Sequence, residues 1–257
     1  MGQISSRARL LLTRPVGQHS DLQNACRAMG LEAVHFPCVT IEPLISDKTR
    51  EMLCQAQGMV LFTSSNAVRL AHQHRSFPWP GIHACAIGSA TARALEACNQ
   101  PMHLIPAPPY SSESFMALIE AMPAQPILII KGCGGRQLIR ETLSDKGWSV
   151  RCIDVYKRVR PTVNTGELEN IFNCGPFDLV SVSSNEILTN LMHLTHRWQH
   201  LLLDSQLIVN SERCATLARK LQFSKPALVA RPAGDEGQLR SVQQWLNQGN
   251  RLYYNSP

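Results

Sequence analysis

Matched segments within the chain constrain its fold more than any other feature. Phe62-Thr63-Ser64-Ser65-Asn66-Ala67-Val68 resembles Val182-Ser183-Ser184-Asn185-Glu186-Ile187, and each closes a short apolar run. Downstream, Ile87-Gly88-Ser89-Ala90-Thr91-Ala92-Arg93-Ala94-Leu95 answers Val209-Asn210-Ser211-Glu212-Arg213-Cys214-Ala215-Thr216-Leu217. Ser111-Ser112-Glu113-Ser114 then answers Gly234-Asp235-Glu236-Gly237. A fourth pair breaks the order. Thr13-Arg14-Pro15-Val16-Gly17 precedes a helical pattern ending Met29-Gly30-Leu31, and Lys131-Gly132-Cys133-Gly134-Gly135 precedes one ending Lys146-Gly147-Trp148. The middle of the chain therefore holds all four segments in a row, whereas the other copy is divided between the N-terminal stretch and the C-terminal third. Repetition of this kind means two structures of one design. Its order predicts a discontinuous domain over 1–37 and 160–257 with a continuous domain, 38–159, inserted. The joints fall near 37–43 and 156–161, where prolines disfavour helix and suggest two extended segments lying together as a hinge.

Both copies read as α/β. Apolar, β-branched runs at 8–13, 33–36, 59–63, 83–87, 103–105, 126–131, 150–155, 179–182, 207–210 and 227–230 alternate with helical patterns near 18–29, 66–74, 90–98, 112–121, 135–146, 185–194, 212–221 and 236–248. Strands that are apolar on both faces, separated by helices, indicate parallel sheets covered on both sides. At 257 residues and 44% hydrophobic composition, two such domains have ample core and need no metal or disulfide staple. The apolar content excludes intrinsic disorder. No run approaches the length of a membrane-spanning helix, and the leucines at 10–12 are too few for a signal-peptide core. Gly2 and Ser6 fit a loose myristoylation pattern that is read here as a chance match.

Nine cysteines are scattered at an odd count, with no C-x-x-C pair and no zinc spacing. They read as free thiols, mostly small buried hydrophobes, in a reducing, cytoplasmic compartment. The net charge of +6 admits nucleic acid, an anionic membrane or an acidic small molecule as partner. The basic residues are dispersed and carry no interleaved aromatics, which argues against nucleic acid. No dinucleotide fingerprint, phosphate-binding P-loop, nucleophile elbow or H-E-x-x-H motif is present. His196 and His200 are four apart but flank Arg197, which disfavours a cation, so nothing calls for a metal.

Ligands of open parallel sheets bind beyond the carboxyl ends of the strands, where the repeated Ser, Thr and Gly motifs fall. Ser64 with Ser65, Ser89 with Thr91, Ser183 with Ser184, and Ser211 can each cap a helix, and each turn offers amides at the positive end of a helix dipole. Gly132, Gly134 and Gly135, followed by Arg136, form a fifth turn where a ligand can approach the backbone. Each motif alone is adequately explained by helix capping. Five or six of them on two sheets facing one hinge suit a ligand bearing several carboxylates or phosphates. Tyr156 closes a strand beside Lys157, Arg158 and Arg160. It is open to two readings: a phenol that donates a proton to a leaving group, or an amphipathic side chain at a domain joint.

Taken together, Leu11-Leu12-Thr13-Arg14-Pro15, Phe36-Pro37, the 62–68 turn, Ala86-Ile87-Gly88-Ser89-Ala90-Thr91-Ala92, Lys131-Gly132-Cys133-Gly134-Gly135-Arg136, Val155-Tyr156 and Ser211-Glu212-Arg213 resemble the uroporphyrinogen-III synthase family in its bacterial form, over about residues 9–248. The resemblance implies two flavodoxin-like domains joined by a two-stranded hinge, and no cofactor. It also implies that the linear tetrapyrrole hydroxymethylbilane loses water and closes with its last ring inverted through a spiro intermediate. Tyr156 then matches the tyrosine proposed to protonate the departing hydroxyl, and Thr91 a threonine of the site. Arg14, Thr63, Ser64, Ser65, Ser89, Gly132, Gly134, Gly135, Arg136, Ser183, Ser184, Ser211 and Arg213 are the candidate substrate contacts. At 211–213 the chain departs from the family, which carries threonines after a glycine there. Arg213 becomes a candidate carboxylate contact in their place. A monomer without membrane or nucleic-acid partners is expected. The alternative is a hinge-closing protein that binds an anionic metabolite without transforming it.

Overall fold

The computed structural model describes residues 7–44, 46–108, 110–135 and 137–248. The chain divides into two compact units, one formed by residues 1–40 with 160–257 and the other by 41–159. It passes β1 (Arg9–Leu12), α1 (Ser20–Ala28) and β2 (Glu32–His35), then β3 (Thr40–Pro43), α2 (Asp47–Cys54), β4 (Gly58–Phe62), α3 (Ser65–His74), β5 (Ile82–Ala86) and α4 (Ser89–Ala97). There follow β6 (Met102–Leu104), α5 (Ser112–Leu118), β7 (Pro126–Gly132), α6 (Leu138–Asp145) and β8 (Ser149–Val159). The chain then completes the first unit with α7 (Thr165–Phe172), β9 (Leu179–Val182), α8 (Asn185–Leu194), β10 (Gln206–Val209), α9 (Glu212–Lys220), β11 (Leu228–Val229) and α10 (Asp235–Asn247).

The sheet orders show the duplication directly. The split unit reads β11-β10-β9-β1-β2, and the continuous unit reads β3-β8-β7-β4-β5-β6. Setting β3 aside, β8, β7, β4, β5 and β6 occupy the places of β2, β1, β9, β10 and β11. In chain order the split unit is 2-1-3-4-5, the flavodoxin-like arrangement, and the continuous unit is its circular permutation. Every registered pairing among these strands is parallel.

Side-chain alternation explains why both faces of the continuous sheet are covered. Val60 and Phe62 point to one core with Ala84, Ala86, Leu128, Ile130, Ile153 and Val155, under residues of α2, α3 and α4. Met59 and Leu61 point the other way with Cys85, Ile127 and Ile129, under Phe115 and Ile119 of the α5 segment and Ile139 and Leu143 of α6. Phe62 is fully buried, with its ring 5.8 Å from Phe77 and 6.0 Å from Trp79. Burying an aromatic of this size contributes about 1.5–3 kcal/mol. In the split unit, Leu10, Leu12, Ala33, Leu179 and Ile208 pack with Leu22 and Cys26 of α1 and Val242 of α10.

The extended segment expected near 37–43 is β3, which lies beside β8 in the continuous sheet, held by Leu44 N–H on Val155 O and by Lys157 on Glu42 at 2.9 Å. Two helices lie outside the predicted pattern. α2 buries only Leu53, so its apolar stripe is too thin to read. α7 rests on Leu168 and Phe172, four apart, after an Asn164 cap. Among the nine free cysteines, Cys26, Cys38, Cys85 and Cys214 are buried, whereas Cys54, Cys133 and Cys174 are exposed and so are not hydrophobic filler. Among the described residues no helix is long and apolar enough to cross a membrane. Gly2, Ser6 and the 249–257 tail lie outside the described residues.

Candidate active site

In the continuous unit, β4 ends at Phe62 and the Thr63 N–H donates to Ile130 O at 3.1 Å, carrying the extended chain one residue past the strand. Ser64 then turns the chain into α3. Its Oγ accepts the Ala67 N–H at 3.2 Å, the bond that caps the helix. Ser65 is the first helical residue and does not cap. At the next turn the cap position belongs to Gly88, which has no side chain to offer, and Ser89 is already helical. Thr91 is only 5% exposed, inside the first turn of α4.

The ends of β7 and β8 are the most distinctive part of this unit. Their pairing runs in step from Pro126↔Ser149 to Lys131↔Asp154, then shifts, so that Gly132 pairs with Tyr156. Val155 is the extra residue. Regular alternation would put Tyr156 on the face opposite Val155, because successive strand residues point to opposite sides. The shift instead brings Tyr156 into the core that contains Val155, Val68 and Ala67, on the α3 side of the sheet. There its hydroxyl lies 3.0 Å from Ser64 Oγ. Its ring lies directly over Gly132: a Cβ at that position would fall 2.5 Å from Tyr156 Cζ.

The glycine turn that follows is tied at both ends. Cys133 N–H donates to Tyr156 O at 2.6 Å, and Lys131 Nζ donates to Gly132 O and Gly134 O at 3.2 and 3.1 Å. The same ammonium pairs with Asp154 at 2.8 Å. Gly134 and Gly135 have φ of 75° and 81°, a conformation that side chains disfavour. Arg136 lies outside the described residues.

The equivalent region of the split unit is a buried polar network, in which Arg14 Nε and His19 Nδ1 are left without a hydrogen-bond partner. Arg14 pairs with Asp235 and donates to Gln238 Oε1 at 3.4 Å. The fully buried Gln238 also accepts from Ser181 Oγ at 2.6 Å and donates to Asn210 Oδ1 at 2.9 Å. Asn210 Oδ1 receives the Gly234 N–H at 3.3 Å, at the start of α10. Burial lowers the Arg14 guanidinium to about 10, which leaves it charged at neutral pH. His35 Nε2 donates to Arg14 O at 2.7 Å and stacks on His19 with centroids 3.4 Å apart. Burial pulls the His35 imidazole below its usual range. Ser184 caps α8 through the Ile187 N–H, with Ser183 just before it, and Ser211 caps α9 through the Cys214 N–H. Arg213 is exposed on the first turn of α9.

Most of the described predicted residues fall at strand-to-helix turns in both units. Tyr156 does not close its strand as expected but lies inside β8, which runs on to Val159 because the chain stays paired after the register shift. Tyr156, Ser64 and Gly132 are brought into direct contact. Residues not singled out from the sequence complete the picture. Lys131 organises the glycine turn, and Gln238 and Asn210 hold the split-unit network. Tyr110, 37% exposed with φ of 55°, packs its Cβ beside Gly88. A signal was available for Lys131, which stands at the repeat position of Thr13. Gln238 looks like helix surface until its neighbours are known. Among the described residues, no three His, Cys, Asp or Glu side chains gather as metal ligands.

Comparison with known proteins decides what this site belongs to. The family described as uroporphyrinogen-III synthase HemD matches residues 20–236. The uroporphyrinogen-III synthase of Escherichia coli (strain K12) is 31% identical over 246 residues, covering 91% of this chain and 99% of that protein. The chain belongs to the uroporphyrinogen-III synthase family. The Salmonella typhimurium uroporphyrinogen-III synthase is 30% identical, covering 91% of this chain and 99% of that protein. Two solved uroporphyrinogen-III synthases share the fold. That of Helicobacter pylori has a TM-score of 0.60 at 15% identity, covering 93% of this chain and 100% of that one. A mutant enzyme from the extreme thermophile Thermus thermophilus has a TM-score of 0.59 at 16% identity, covering 94% and 99%. Membership makes the protein an enzyme of porphyrin biosynthesis in the cyclising lyase class and sets aside the binding-protein alternative.

Proposed function

We propose that this uroporphyrinogen-III synthase converts hydroxymethylbilane to uroporphyrinogen III with Tyr156 as the general acid. The supporting observation is the Tyr156 hydroxyl 3.0 Å from Ser64 Oγ, at the N-terminus of α3. Tyr156 O–H gives its proton to the hydroxymethyl oxygen, the C–O bond breaks, and water leaves. An azafulvene cation stays on the first pyrrole and a phenolate on the protein. Ser64 and the positive end of α3 stabilise that phenolate. The substituted carbon of the last ring attacks the cation, and the resulting spiro centre fragments and recloses. Loss of a ring proton restores Tyr156.

Little acid strength is required, because an electron-rich pyrrole expels the hydroxyl readily. The protein's task is to hold the chain so that the substituted carbon reacts, and positioning of this kind is worth on the order of 7–11 kcal/mol. The substrate's eight carboxylates match turns rich in helix N-termini. In the continuous unit these turns carry Thr63, Ser65, Ser89, Gly134, Gly135 and Arg136. In the split unit they carry Ser183, Ser184, Ser211 and Arg213, with Arg14 supporting from its buried network. Thr91, on the first turn of α4, is the second candidate catalytic residue beside Tyr156, and both are buried. A cytoplasmic monomer without membrane or nucleic-acid partners completes the reading, supported by free cysteines and dispersed positive charge.

The test is to generate hydroxymethylbilane in place, add the protein, and separate the oxidised porphyrin isomers. Type III product in excess is expected. Type I alone, from folded protein, overturns the reading.

A further inference from the structure

Three features that look independent in the sequence converge on one phenol. The register shift after Lys131 turns Tyr156 from the face shared by Cys152 and Asp154 to the α3 face. Shifts of this kind bend the strand locally and re-aim a side chain. Gly132 then leaves the space the ring occupies, since a Cβ there would meet Cζ, Cε2 and Oη at 2.5, 2.6 and 2.9 Å. The φ of Gly132 is not among the positive values found for other glycines, so backbone conformation does not demand glycine at this position. The ring does. At the far end of the ring, Ser64 meets the hydroxyl.

The hydrogen count at Ser64 lets it be the donor in that last bond. Ser64 Oγ already accepts the Ala67 N–H at 3.2 Å, and its single proton is free to be donated. Donating it to Tyr156 Oη leaves the phenol's own proton available for another acceptor. The opposite direction would spend the phenol's proton inside the protein.

Resting on the assignment of Tyr156 as the acid, we propose that Gly132 and Ser64 are positioning residues for Tyr156 rather than contacts to substrate carboxylates. Gly132 seats the ring. Ser64 donates to the hydroxyl oxygen, directs the phenol's proton outward and holds the phenolate that remains. The expectation that Gly132 lets a ligand approach the backbone is thereby replaced: the group that approaches is Tyr156.

The experiment compares Gly132→Ala, Ser64→Gly and Ser64→Thr, each in wild-type and Tyr156→Phe backgrounds, by type III formation across a range of bilane concentrations. Gly132→Ala displaces the ring, and Ser64→Gly removes the hydroxyl while costing the α3 cap only a few tenths of a kcal/mol. Each is expected to lower kcat about tenfold or more with KM changed less than about twofold. Ser64→Thr restores the hydroxyl and recovers most of kcat. In the Tyr156→Phe background neither Gly132→Ala nor Ser64→Gly adds a loss beyond about twofold, as for groups that act through one partner. Raised KM at unchanged kcat, losses that multiply with Tyr156→Phe, or normal kcat in both variants overturns the positioning role. Should Gly132→Ala fail to fold by circular dichroism, the Ser64 pair decides alone, since it leaves the sheet untouched. Type I product alone from the wild-type protein overturns instead the reading on which this rests.

Discussion

The carboxyl ends of β7 and β1 hold the same place in their two sheets, and the chain finishes them in opposite ways. At the end of β7 stand a glycine, an aromatic ring from β8 over it and a hydroxyl pair at the start of α3. Beyond β1, Thr13 Oγ1 donates to Ser181 O at 2.6 Å, and Arg14, Ser181, Gln238, Asn210 and Asp235 bond to one another. One end sets a phenol against a serine hydroxyl. The other ties most of its polar groups to one another, with Arg14 Nε left over. Duplicated scaffolds therefore need not duplicate chemistry: the strand plan is shared, and the residues after the last strand position decide what each copy does.

The largest way to break this contrast is Tyr156→Phe, which keeps the ring over Gly132 and removes only the hydroxyl. Loss of a general acid is expected to slow type III formation by about 10²–10⁴-fold, measured as initial rate at saturating bilane. Near-normal turnover would move the chemistry away from the end of β7. In the split unit, Gln238→Ala leaves the buried Ser181 hydroxyl without its acceptor. A stability loss of about 1–3 kcal/mol follows, read from urea unfolding, with kcat falling far less than in Tyr156→Phe. A comparable fall in kcat would show that the network does more than hold the unit together.

The paired caps sharpen the comparison further. Ser64 and Ser184 occupy matching turns, but only Ser64 touches a phenol. Ser184→Ala should cost about 1 kcal/mol of stability through the lost α8 cap while leaving kcat near wild type. The smallest effect concerns His35, stacked on His19 and held on Arg14 O. Its imidazole is depressed by burial, so protonation favours the unfolded chain, whose histidines titrate near 6.5. Stability contributed by neutral His35 is present above that value and lost as pH falls through about 6.5 toward the lower folded value. Urea midpoints at pH 5 and 7.5 should differ less in His35→Gln than in wild type.

Much of this was legible in the sequence, for identifiable reasons. The ten strand runs could be read because parallel strands buried on both faces carry continuous apolar residues, as at 126–131 and 179–182. The out-of-order fourth repeat gave the permuted connectivity. α2 and α7 escaped because one and two buried side chains respectively leave no stripe to detect. The turns were found, yet the capping residue within each depended on one position of phase: Ser64 rather than Ser65, and Gly88 rather than Ser89. Gly132 was legible as important but not for its reason. That reason arises from a one-residue shift between two strands, and no periodicity within either strand records it. Gln238 was hidden for the converse cause, a polar residue on a polar helix whose partners lie far away in sequence.

The split arrangement also carries a consequence for how the protein is made. Arg9 bonds to Asp178, 169 positions later, and β1 has β9 as its second neighbour. At the ribosome's pace of about 5–20 residues per second, β1 waits on the order of ten seconds for that partner. In the interval the whole of 41–159 emerges and can fold on its own sheet. β1 is thus paired on both sides only after the inserted unit has been made. Its three leucines, buried in the finished unit, spend that time at an open strand edge. For this fold, the vulnerable moment is the interval between β1 and β9, and protection of the β1–β2 segment by a chaperone should govern yield more than the stability of the completed enzyme.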